Sequence, residues 1–320
     1  MGSALSIGEP WMWAAFAGFV LAMLALDLFV FGGNKAHKVG FKEAAVWSVV
    51  WFLLAMLFNF GLWWYLKGAY GVEVAVVKAE EFLTGYLIEK SLAVDNIFIF
   101  LMIFTFFAVP EEYQRRVLIF GVLGAIVLRA IMILAGAWLV REFHWILYLF
   151  GAFLLVTGIK MLMFAEADPD LGKNPLLNWV KRHLRLTQDY RGEKFWVMEN
   201  GVRMFTPLFL VLIMIEFTDL IFAVDSIPAI FAITTDPFIV FTSNIFAILG
   251  LRAMYFMLAD LADRFHLLKY GLAMVLVFVG TKMLIVDFYK IPVEMSLGIV
   301  GIIIATSIGV SLWVTRNKSR

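Results

Sequence analysis

Apolar residues along this chain fall into nine blocks of about 20 residues or more, the length a helix needs to cross a hydrocarbon core. The blocks lie near residues 11–31, 43–65, 82–107, 117–141, 144–164, 204–231, 237–259, 268–288 and 292–314. Short stretches of charged and turn-forming residues separate them. The pattern predicts an all-α, polytopic membrane protein with nine transmembrane helices. The first block has no basic residue before it and no small-residue cleavage site, so it reads as a resident span rather than a removed signal peptide.

Two of the blocks carry the same polar interruption. Ala93-Val94-Asp95-Asn96-Ile97 and Ala223-Val224-Asp225-Ser226-Ile227 each set an aspartate in an apolar segment, with a second carboxylate, Glu89 or Asp219, six residues earlier. The duplication continues in register. Leu128-Arg129-Ala130 returns as Leu251-Arg252-Ala253, Gly158-Ile159-Lys160-Met161-Leu162 as Gly280-Thr281-Lys282-Met283-Leu284, and Tyr148 as Tyr270. Ordered matches in three successive blocks define two copies of one unit, residues 82–164 and 204–288, flanked by 11–65 and 292–314. Three spans per unit is an odd number, so the copies have opposite orientations. Such inverted repeats are characteristic of transporters, which bind substrate near the midplane where the repeats meet.

The chain is 63% hydrophobic and 16% charged, with mean hydropathy +0.91, which lies outside the range of soluble domains. Net charge +1 and scattered basic residues give no stripe for nucleic acid. With no cysteine, the chain has neither disulfides nor thiolate metal sites. Of 26 Lys and Arg, five fall inside blocks (Lys90, Arg129, Lys160, Arg252, Lys282). Of the others, 17 collect on one side and four (Lys67, Lys78, Arg141, Lys290) on the other, which predicts a cytoplasmic C-terminus and an external N-terminus. The one sizeable hydrophilic segment, 165–203, predicts a short helix opened by Asn174 and Pro175 and lying on the inner membrane surface.

Carboxylates at membrane depth cost roughly 2.5 to 3.5 kcal/mol each on insertion scales and mark function by default. Glu89, Asp95 and Asn96 from the first copy, with Glu216, Asp219, Asp225 and Ser226 from the second, offer hard oxygen ligands suited to Mn²⁺, Mg²⁺ or Ca²⁺. A six-residue spacing turns an ideal helix by about 240°, so the paired carboxylates do not share a face. Either the helices are straight and present two carboxylate rows, or the backbone breaks near the aspartates. Pro228 favours a break in the second copy, because it lacks an amide hydrogen and frees the Val224 carbonyl. Lys90, Arg129 and Arg252 are the deep cations expected to pair with these acids, whereas Lys160 and Lys282 lie near block ends and snorkel. Asn59 and Asn244 read as interhelical hydrogen bonders, Asn244 being the better outside candidate for a ligand. No nucleotide-binding loop and no nucleophile with a base stands out, which argues against a pump driven by nucleotide and against an enzyme.

The segments Glu89-Lys90-Ser91-Leu92-Ala93-Val94-Asp95-Asn96 and Phe222-Ala223-Val224-Asp225-Ser226-Ile227-Pro228-Ala229-Ile230, followed by Gly250-Leu251-Arg252-Ala253-Met254-Tyr255, resemble the TerC family of bacterial inner-membrane proteins, in its Alx-type branch. The resemblance runs from the first block to the last. It implies a multi-pass inner-membrane protein that exports manganese, with the paired acidic motifs as the ion pathway and no resident cofactor. Older descriptions of the family speak instead of tellurium resistance and redox modulation, which leaves a non-transporting membrane scaffold as the alternative.

Overall fold

The computed structural model describes residues 6–31, 40–143, 145–163, 175–199, 201–259 and 267–318, without the side chains of 27–31, 95, 268 and 316–318. Its elements are α1 (Pro10–Phe31), α2 (Phe41–Tyr70), α3 (Val72–Phe106), α4 (Glu111–Glu142), α5 (Ile146–Met163), α6 (Pro175–His183), β1 (Trp196–Glu199), β2 (Val202–Phe205), α7 (Pro207–Phe231), α8 (Pro237–Leu249), α9 (Leu251–Ala259), α10 (Leu268–Leu284) and α11 (Val293–Lys318). Every predicted block is helical over most of its length.

Among the described residues, six helices are long and apolar enough to cross a membrane: α2, α4, α5, α7, α8 with α9, and α11. The described apolar part of α1 and the whole of α10 are shorter. Helix α3 has the length, at 35 residues or about 52 Å, but carries Glu80, Glu81, Glu89, Lys90 and Asp95. Large apolar side chains face outward, including Leu53, Leu57 and Trp64 on α2 and the stripe Val127, Ile131, Leu134 and Trp138 on α4. A surface of this kind is covered by lipid. This is a helical integral membrane protein.

The helices that carry the two Ala-Val-Asp motifs and those after them pack in matching pairs. Helix α3 lies against α8 as α4 lies against α7, and α5 lies against α10. The α5–α10 seam is the most extensive and rests on glycine. A β-carbon on Gly280 would stand 2.6 Å from the Leu155 amide nitrogen and 2.8 Å from the Gly151 carbonyl, and one on Gly158 would stand 2.9 Å from the Ala273 carbonyl. Small residues let membrane helices approach to backbone contact. The repeated Gly158 and Gly280 are therefore packing residues.

Several expectations need correction. The block 237–259 is two helices, interrupted at Gly250, and almost entirely buried. Helix α7, by contrast, runs unbroken through Asp219 and Asp225, with Pro228 inside it. Pro228 stands three residues from the helix end, so the bond it removes, to the Val224 carbonyl, disturbs only the last turns. Helix α3 begins ten residues before its predicted start, because the turn from α2 needs only Gly71, at φ +91°. The chain also holds a two-stranded antiparallel hairpin, β1 with β2, in the segment read as a polar loop, so it is mainly but not wholly helical. Helix α6 forms as predicted, but Leu177 and Val180 are buried in a protein core with Leu208, Leu118 and Phe104. Its apolar face docks on protein. Lys282 does not snorkel: it is buried and donates to Ser296 Oγ of α11 at 2.8 Å. The predicted cap Asn174 and the side chain of Asp95 lie outside the described residues.

The segment from α6 to β2 caps one end of the bundle. Tyr190 Oη donates to the Phe107 carbonyl at 2.7 Å, and Thr206 Oγ1 to the Lys194 carbonyl at 2.6 Å. Arg116 pairs with Glu193 at 3.4 Å and lies over the Phe195 ring. Burial pushes the Tyr190 hydroxyl up to about 12.

Candidate functional site

Residues seven apart turn an ideal helix by roughly two full turns, so Glu89 and Asn96 share a face of α3, and Asp219 and Ser226 share a face of α7. Those faces converge on Arg129 of α4. All five residues, with Asn244 of α8, are at most 3% exposed. The Arg129 fork grips Asp219, with Nη2 donating to Oδ1 at 2.8 Å and Nε to Oδ2 at 3.2 Å. Its Nη1 donates to Glu89 Oε1 and, at 3.4 Å each, to Ser226 Oγ and Asn244 Oδ1. Asn244 Nδ2 in turn donates to Glu89 Oε2 at 3.0 Å, and Asn96 Nδ2 to Asp219 Oδ1 at 3.4 Å. The cluster thus holds one guanidinium between two carboxylates that each stand six residues before the aspartate of an Ala-Val-Asp motif. A buried guanidinium needs such fixed planar partners, and bidentate geometry is the strongest form of the pairing.

The remaining predicted residues lie apart. Asp225, half-buried on another face of α7, is hydrogen-bonded by Thr157 of α5. Glu216 lies one turn before Asp219, its carboxylate against Gly124 of α4 and its Oε2 buried without a hydrogen-bond partner among the described residues. The paired-row alternative therefore holds in α7: Asp219 with Ser226 looks toward α4, and Asp225 toward α5. Lys90 donates to the Ala247 carbonyl at 3.2 Å. That carbonyl sits in the last turn of α8, where carbonyls lack helical partners, and Gly250 leaves room for the ammonium. Arg252 is buried on α9, beside a small cavity lined with Trp51 and Val122. Unlike its counterpart Arg129, it follows a helix interruption.

Asn244 joins the cluster, as an interhelical hydrogen bonder in a repeated span could. Thr157 was missed, and its only signal was a hydroxyl in an apolar block next to Gly158. Among the described residues, no three acidic or histidine side chains gather into a ready metal cage. Two carboxylates and three neutral oxygens do gather, those of Ser226, Asn96 and Asn244. Asn96 Oδ1 is buried with no hydrogen-bond partner among the described residues.

A polytopic helical membrane protein with a charged centre built from a duplicated motif is the class these features define. The chain belongs to the TerC family: the model described as "Integral membrane protein TerC family" matches residues 75–319. It is 58% identical over 316 residues to a protein of Escherichia coli K12, covering 98% of both chains. It is 57% identical over 314 residues to one of Photorhabdus laumondii, again covering 98% of both. Both carry the name "Putative membrane-bound redox modulator Alx", which agrees with the branch the motifs resemble. A membrane protein of Myxococcus xanthus is 50% identical over 312 residues, covering 98% of this chain and 95% of its own. No solved structure matches the chain.

Proposed function

We propose that this protein is a secondary transporter that exports Mn²⁺ across the bacterial inner membrane, coupled to protons. The observation that carries the reading is the convergence of Glu89 and Asp219, equivalent residues of two copies, with three neutral oxygens in a fully buried cluster. Hard divalent ions take this kind of ligand set. The architecture we propose has nine spans, counting α1, α3 and α10, with α3–α5 and α7–α10 as an inverted repeat. The reciprocal packing supports it, since exchanging the copies maps α3 on α8 to α7 on α4. The N-terminus is external and the C-terminus cytoplasmic, which puts the α6–β2 cap in the cytoplasm.

Metal binding to carboxylates releases protons when any of them is protonated, so exchange of Mn²⁺ for H⁺ follows from the chemistry of the site. The relatives' name points instead to redox modulation. With no cysteine in the chain, such an effect would have to act through a transported ion or a partner. The test is the full chain in liposomes, offered Mn²⁺, Mg²⁺ and Ca²⁺ separately while lumenal pH is read. Mn²⁺ flux with opposed proton movement is expected, with apparent affinity rising as pH rises. No flux of any of the three ions would leave the scaffold reading in its place.

A further inference from the structure

Four oxygen-bearing side chains on two helices from one copy and one from the other close around a cation that belongs to the protein itself. Glu89, Asp219, Ser226 and Asn244 all accept hydrogen bonds from Arg129. Each of these oxygens is also a hard-cation ligand. Asn96, 1% exposed, turns its Nδ2 to Asp219, and the Oδ1 of the same amide is buried without a partner among the described residues. A divalent ion taking these oxygens would stand within a few ångströms of the guanidinium, in a place with little water to screen the repulsion. Only one of the two cations fits at a time.

We infer that Arg129 is a tethered cation that competes with the transported divalent ion for Glu89 and Asp219, and that Glu216 receives its guanidinium when the ion binds. This rests on the export reading above. Side chains on a helix lean toward its N-terminus, which for Arg129 is toward Gly124. The Glu216 carboxylate lies against Gly124, with an oxygen lacking a hydrogen-bond partner among the described residues, one turn from Asp219. Residues three apart on a helix are neighbours, so the guanidinium can pass from Asp219 to Glu216 by side-chain rotation. Formal charge then balances: the divalent ion with Glu89 and Asp219, Arg129 with Glu216. Glu216 acts on the ion only through Arg129, which changes its predicted role from ligand to positioning residue.

The experiment is Mn²⁺ binding to the purified full chain, compared across variants. Arg129→Gln should bind Mn²⁺ at least about tenfold more tightly, within the usual span of coupling between sites. In liposomes its efflux should be slower, since the arm that helps expel the ion is gone. Glu216→Gln should bind more weakly, and Arg129→Gln with Glu216→Gln should recover the affinity of Arg129→Gln alone. Persistent weakness in the double variant would make Glu216 a direct ligand and overturn its receiving role. If Arg129→Gln does not fold, Arg129→Lys decides. An ammonium cannot make the two-armed grip, so Mn²⁺ affinity should rise, and equal or lower affinity overturns the inference. An unmodified protein that binds Mn²⁺ with no gain in either Arg129 variant sinks the exchange alone. One that fails to bind any divalent ion, with variants that also fail, sinks the export reading.

Discussion

The two aspartates of α7 have different surroundings, and replacing each by asparagine should separate them. Asp219→Asn keeps the shape but removes a buried charge that takes two N–H bonds from Arg129 and one from Asn96. Breaking a buried ion pair from one side costs about 3 to 5 kcal/mol. Glu89 still holds Arg129, and the new amide oxygen can accept one bond, which puts the loss near about 3 kcal/mol. Asp225→Asn alters a half-buried group hydrogen-bonded by Thr157, a change worth about 1 kcal/mol. The folded-to-unfolded ratio should therefore fall a little over about a hundredfold for Asp219→Asn and about fivefold for Asp225→Asn. Titration with a denaturing detergent, followed through the 11 tryptophans, reads both. Equal losses in the two variants, or an Asp219→Asn protein within about 0.5 kcal/mol of the unmodified one, would refute the assignment of Arg129 to Asp219.

The packing, the cap and the topology each carry a further expected outcome. Gly280→Val should destabilise the protein by about 1 to 3 kcal/mol or more through overpacking of the α5–α10 seam, measured by the same titration, whereas Gly298→Val on α11, where a β-carbon meets nothing within 4 Å, should change little. Raising pH should leave the α6–β2 cap intact up to about 10 and loosen it between 10 and 12. The folded Tyr190 hydroxyl titrates near 12, above its ordinary 10.0, so its contribution is complete below the lower value and lost toward the higher. Limited proteolysis of the cap across that range, with Tyr190→Phe as control, checks it. A reporter fused after residue 235 should read external and one at 185 cytoplasmic, and agreement between the two would remove the inverted orientation.

Helices and motif were legible because both rest on local chemistry: length of apolar run for the one, the cost of a carboxylate in lipid for the other. The seven-residue partners of Glu89 and Asp219 were on the page as Asn96 and Ser226, and Arg129 as a cation needing carboxylates. What stayed hidden depends on neighbours. Pro228 and Gly250 both look like helix breakers, and only packing decides that α7 continues while the next span is interrupted where Lys90 can reach Ala247. Leu177 and Val180 would suit lipid as well as a protein core, and nothing local distinguishes them. The burial of Lys282 depends on Ser296 of α11, a partner that hydropathy cannot name.

The glycine seam between α5 and α10 has a mechanical consequence. Where glycines bring backbone close to backbone, few side chains are left to change rotamer, so sliding or rolling one helix on the other meets resistance early. On the transport reading proposed above, a motion that exposes Arg129 and its carboxylates would turn α3, α4, α7 and α8 about this pair as a fixed axle. Cross-linking α5 to α10 should then be harmless, while a tether between α4 and α7 should lock the machine.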